Sequence, residues 1–147
     1  MFSQNLRLDG TAPADAEYAH PAGASIARTL SSTIAAAGWR VSEFDNWRDC
    51  GWSLDCRRGN AELQVVLSEI APSEWLFQVA PLHAPGFLGR LRGRGPSASR
   101  DDALDLARVV HAALAAESYL SRPRWAWDRL PEDSDATPEP APWTGGS

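Results

Sequence analysis

The sequence predicts an α+β fold, a two-layer sandwich in which an antiparallel four-stranded meander is covered on one face by two helices. Three observations carry this prediction. Apolar and polar residues alternate through most of the stretch from Cys50 to Ala80, the period of half-buried strands. Two flanking segments, from Ala24 to Ala37 and from Asp101 to Leu120, instead repeat their apolar residues at helical spacing. Between two of the alternating runs stands Gly59-Asn60, a pair suited to a tight hairpin turn.

Taken in order, Asn5 to Leu8 reads as a short strand, and Gly10 to Pro21 is too rich in Gly, Pro, Ala and Asp to assign. In the first helix Ile26, Leu30 and Ile34 form one stripe, and Gly38 supplies the left-handed residue that ends it. Trp39 to Asn46 carries Trp39, Val41 and Phe44, whose parity breaks after Val41 and predicts a bulge. Cys50, Trp52, Leu54 and Cys56 then alternate with Asp49, Gly51, Ser53 and Asp55. Closing the chain at Gly59-Asn60 places Cys56 opposite Leu63, Leu54 opposite Val65 and Trp52 opposite Leu67, and sets Arg57 beside Glu62 on the other face. A slip of one residue would turn the apolar set to the wrong side, so this register is strongly specified.

Pro72-Ser73-Glu74 predicts the next turn, after which Trp75, Phe77 and Val79 continue the apolar face as far as Pro81. The second helix has Ser99 as N-cap with Asp102 three residues on, and a stripe of Ala103, Leu106, Val110, Ala113, Leu114 and Leu120. From Arg124 to Asp128 the chain reads as extended, with Trp125 and Trp127 on one side at the edge of the core. Residues 131–147 hold four prolines and four acids, Glu132, Asp133, Asp135 and Glu139, and read as a disordered tail following a single domain over residues 1–130.

Composition narrows the function classes. A chain of 147 residues has room for one substantial core, and 44% apolar with 22% charged residues matches neither a disordered chain nor a helical membrane protein. No continuous apolar stretch follows Met1, so no export is expected and the cytoplasm is the expected location. The net charge is -5, but the tail carries most of it and residues 1–130 are close to neutral, which disfavours nucleic acid as a partner.

Asp49-Cys50-Gly51-Trp52-Ser53 resembles the Asp-Cys-Ser-Gly pattern of the NlpC/P60 cysteine peptidases, a likeness that implies a Cys50 nucleophile with His83 as its base. In that family the cysteine opens a helix, whereas the residues after Cys50 alternate as a strand, so no catalytic residue is assigned. Cys50 and Cys56, separated along a strand by about 20 Å, cannot form a disulfide, which needs roughly 7 Å or less. Neither cysteine lies at zinc-ligand spacing, and no metal or cofactor is expected. His111 falls on the helix face shared with Leu104, Arg108 and Ser118, away from the apolar stripe, and reads as solvated.

The expected function is a non-enzymatic protein-binding or adaptor protein, similar in element order, size and acidity to small bacterial chaperone-like and immunity-type modules. The candidate contacts are Phe87, Leu88, Arg90, Leu91, Arg92 and Arg94 in the loop from Pro85 to Arg100, and the tryptophans Trp125 and Trp127. Val66, Leu76 and Ala80 form a small apolar patch on the second face of the sheet, through which a homodimer is also expected to be possible. Two alternatives remain at this point. One is a small-ligand binder or cysteine-dependent enzyme near Cys50 and His83; the other is nucleic-acid contact through Arg90, Arg92 and Arg94.

Overall fold

A computed structural model describes residues 2–82 and 98–145. Within them the order is β1 (Gln4–Gly10), α1 (Ala24–Ala36), β2 (Arg40–Val41), β3 (Asp45–Trp47), β4 (Gly51–Arg58), β5 (Ala61–Ala71), β6 (Glu74–Pro81), α2 (Arg100–Ala115) and β7 (Leu120–Trp127). The fold is α+β, with an open, wholly antiparallel seven-stranded sheet in the order β2-β4-β5-β6-β1-β7 and β3 also pairing with β4.

The hairpin of β4 and β5 has the register that Gly59-Asn60 predicts: Trp52 faces Leu67, Leu54 faces Val65, Cys56 faces Leu63, and Arg57 pairs with Glu62 at 3.0 Å. Gly59 takes φ 59°, which glycine reaches without steric cost. β6 extends the same face, so Leu67 meets Phe77 and Val65 meets Val79. The parity break after Val41 divides the predicted strand in two. β2 and β3 both pair with β4, and their registers differ by one residue.

The four-stranded count was too small because β1 and β7 also join the sheet. β1 is an inner strand, flanked by β6, with Leu6 opposite Phe77, and by β7, with Leu6 opposite Trp125. Too short to declare itself by periodicity, β1 owes its place to burial: Leu6 is fully buried and Leu8 nearly so. The predicted second helix stops at Ala115, and Leu120, assigned to its stripe, is instead the first residue of β7. Its start follows the cap. The Ser99 hydroxyl accepts from the Asp102 backbone N–H, and the Asp102 carboxylate accepts from the Ser99 N–H.

α1 packs on β2 and β4 and against α2, while α2 packs on β6, β1 and β7. Ile26, Leu30 and Ile34 of α1 join Leu106 and Val110 of α2 and the inward residues of β1, β4, β5 and β6 in one core. The connection from Gly10 to Gly23 is pinned by side chains from the sheet. Trp52 Nε1 donates to the Pro21 carbonyl at 3.0 Å and Trp75 Nε1 to the Gly10 carbonyl at 2.9 Å. Arg28 of α1 holds Asp15 and Glu17 and covers the rings of Tyr18 and Phe44. Hydrogen bonding to Arg28 keeps the Asp15 carboxyl well below the usual carboxylate range.

Residues 131–145 make several polar contacts with β7 and the residues just after it. Arg122 and Arg124 of β7 both bind Asp133, Arg129 binds Asp135 at 2.8 Å, and Pro131 is buried. Composition gives no sign of these pairs, because the arginines that meet the acids lie in and just beyond the preceding strand.

Candidate functional site

Two surfaces and one isolated thiol account for the candidate residues that the structure describes. The open face of the sheet carries Val66, Leu76 and Ala80, all half-buried. Their register draws them together: Val66 faces Gln78, with Ser68 opposite Leu76 and Gln64 opposite Ala80 on either side. Across the strands, Ser53, Val66, Gln78, Asn5 and Ala126 follow one another through direct pairs and form a row without a charge. Ion pairs stand at the margins, Arg57 with Glu62 and Arg7 with Glu74 at 3.6 Å.

The second surface is at the end of β7. Phe2, Trp127 and Trp143 surround the Arg100 guanidinium, whose central carbon is 5.0, 5.2 and 3.7 Å from the three ring centroids. Asp128 pairs with the same guanidinium at 2.9 Å. Each cation–π contact in such a cluster contributes on the order of 0.5–2 kcal/mol. Trp127 is among the candidate contacts of the sequence, but Phe2 and Arg100 carry no local signal. They meet only because β1 and β7 are neighbours and α2 begins beside them.

Trp125, also a candidate contact, lies apart from both surfaces. It is 1% exposed, faces the core beside Leu6, and donates its indole N–H to His111 Nδ1 at 3.1 Å. The same packing corrects the solvated reading of the His111 face: Leu104 is buried and His111 is half-buried, because β7 lies against that side of α2. His111 and Ser121 supply the polar edge of a cavity of about 170 Å³ that is otherwise lined by Leu6, Leu8, Leu114, Leu120 and neighbouring apolar residues.

Cys50 lies outside the strand alternation that was read as including it. Residues 48–50 form the loop of the β3–β4 hairpin, with positive φ at Arg48 and Asp49, and Cys50 is exposed there with Sγ 3.5 Å from the Trp47 carbonyl. Asn46 brackets the loop, accepting from the Asp49 N–H at 2.8 Å. Cys50 therefore opens a strand, unlike the cysteine of the peptidases its neighbourhood resembles. Cys56 is buried in the core, where desolvation pushes its thiol up to about 12. We expect a thiol reagent at neutral pH to modify Cys50 in the native chain and Cys56 only after denaturation. Mass-labelled counting of modified cysteines checks this, and equal rates at the two positions would contradict the placement of Cys56.

His83, Phe87, Leu88, Arg90, Leu91, Arg92 and Arg94 lie outside the described residues. Among the described residues there is no group of three or more His, Cys, Asp or Glu side chains placed to hold a metal ion. No helix among them is long and apolar enough to cross a membrane. Neither a protein family nor a curated protein matches the sequence.

Proposed function

We propose that the chain is a non-enzymatic protein-binding module that docks its partner on the open face of the sheet. The observation that carries this reading is the uncharged patch of Val66, Leu76, Gln78 and Ala80 on β5 and β6, with ion pairs at its margins. Interfaces concentrate their charges at the rim because an ion desolvated at the centre costs several kcal/mol unless paired. In a chain with 22% charged residues, four neighbouring uncharged positions, none of them buried, match that anatomy. The half-buried Val66, Leu76 and Ala80 supply apolar area there, while the amides of Gln64 and Gln78 are placed to pair with polar groups of the partner.

The partner this surface fits is a protein presenting an uncharged, partly apolar face of its own. Val66→Arg and Ala80→Arg place a charge at the centre without touching the core, so folding measured by circular dichroism should be preserved. Immobilised wild-type chain is expected to retain a partner from host extract that both variants lose, and Arg57→Ala at the margin should retain it. Sedimentation of the purified chain shows whether that partner is a second copy. Identical capture and identical sedimentation for wild type and both central variants would overturn the reading.

A further inference from the structure

The helix-covered side of the sheet holds a site of another kind, which does not depend on the open face. It is the cavity of about 170 Å³ between α2, β1 and β7. Leu6, Leu8, Leu114 and Leu120, all buried, form its floor. Ala115 and Ser121 also line it and are exposed, so they mark its mouth. Among the described residues no aspartate, glutamate or arginine lines it.

The β1–β7 ladder is interrupted at this point. Arg7 pairs with Arg124 and Asp9 with Ser121, so Arg122 and Pro123 together stand opposite Leu8 alone. Such a bulge bends its strand, and Leu8 and Pro123 on its two sides both line the cavity. Arg122 takes φ 57°, uncommon for a residue with a side chain, and Pro123 brings no N–H to the ladder. Arg122 and Arg124 both reach Asp9 of β1, at 3.5 and 2.7 Å, so ion pairs hold the bulge in place.

The polar group of the cavity is held in one form. An indole N–H can only donate, and that of Trp125 ends on His111 Nδ1 at 3.1 Å. Nδ1 is therefore the acceptor of the imidazole, and the ring proton sits on Nε2. His111 lines the cavity, and among the described residues its Nε2 has no hydrogen-bond partner. An N–H donor is thus fixed beside an apolar floor.

We propose that this cavity binds a small uncharged molecule of one-ring size that carries a hydrogen-bond acceptor, with its ring over the leucine floor and its acceptor atom on His111 Nε2–H. The volume sets the size, since apolar cavities of about 150 Å³ stay dry and accept a benzene-sized guest. The uncharged lining sets the charge, because an ion would give up its hydration there without a partner. The fixed tautomer sets the polar atom, because a ligand that could only donate would face another donor. An empty void deprives its walls of contacts on one side, and a ligand of this size restores them. It can enter past Ala115 and Ser121 without parting the core.

Cyclohexanone, benzene and cyclohexanecarboxylate, titrated into the full chain at neutral pH, test this, with the Trp125 indole N–H and the His111 ring nitrogens followed by nuclear magnetic resonance. Cyclohexanone should shift both residues saturably, with a Kd on the order of 1 mM or tighter. Benzene should shift the Trp125 signal and leave Nε2 in place, and the carboxylate should not bind. Ala115→Phe, at the exposed mouth, should fold as judged by circular dichroism and lose both neutral ligands. His111→Phe should weaken cyclohexanone relative to benzene by about threefold or more, the loss of one neutral hydrogen bond. Should that variant fail to fold, the Nε2 response of the wild-type chain to the two neutral probes decides the same point. No saturable binding of cyclohexanone, or its full retention by Ala115→Phe, would overturn the site. An Nε2 signal indifferent to cyclohexanone would overturn the role of His111, and carboxylate binding as tight as that of the ketone would overturn the uncharged class.

Discussion

Trp125→Ala is expected to destabilise the fold by about 3–5 kcal/mol, the range for removing a large aromatic from a core that cannot collapse around the loss. Its side chain is 1% exposed, it faces Leu6 across β1 and β7, and its indole N–H ends on His111 Nδ1. Trp125→Phe separates the two contributions. The ring then remains, the hydrogen bond does not, and a loss of about 1 kcal/mol is expected. Urea denaturation followed by circular dichroism measures both, and a change within about 0.5 kcal/mol for Trp125→Ala would return this residue to the surface.

The second large effect belongs to Gly51, which lies between β3 and β5, opposite Trp47 on one side and Ser68 on the other. A Cβ built there would overlap the Leu67 carbonyl oxygen and stand 3.0 Å from its carbonyl carbon, and both of those atoms are backbone. No rotamer change relieves that overlap, so the hairpin ladder itself must part. Gly51→Ala is therefore expected to cost about 3 kcal/mol. Gly38→Ala is the control. Its φ of 100° penalises a side chain, but no neighbouring atom lies within 4 Å, and a loss of about 1 kcal/mol is expected. Equal losses at the two positions would contradict close approach of the strands as the requirement at Gly51.

The legible part of the fold was the part where local pattern and burial agree. In the β4–β5 hairpin a two-residue turn and a period-two apolar face specify one register, and the pairs from Trp52–Leu67 to Arg57–Glu62 follow. α1 and the start of α2 were legible for the same reason, through a stripe with a glycine end and a reciprocal cap. β1 was read only as a possible short strand, and its central position had no local signal. A seven-residue strand between two others is held by neighbours that are distant in sequence, Phe77 and Trp125.

The candidate sites divide in the same way. Val66, Leu76 and Ala80 share the open face because alternation assigns faces without reference to anything outside the meander. The burial of Trp125 depends on α2 packing over β7, and the pairs that Asp133 and Asp135 make depend on Arg122, Arg124 and Arg129, so neither is legible in a local pattern.

By itself, then, the sequence determined the α+β class, the hairpin register, the helix ends marked by Gly38 and Ser99, and which face of the meander is apolar, since each depends on backbone preferences and spacing within about a dozen residues. Tertiary structure alone decided that β1 is an inner strand, that Trp125 is core while Trp127 is half-exposed, and that Phe2, Arg100, Trp127 and Trp143 share one place. Those outcomes come from contacts across most of the chain, whose free energy is gained only when separate elements meet and which therefore leave no period in the sequence to read.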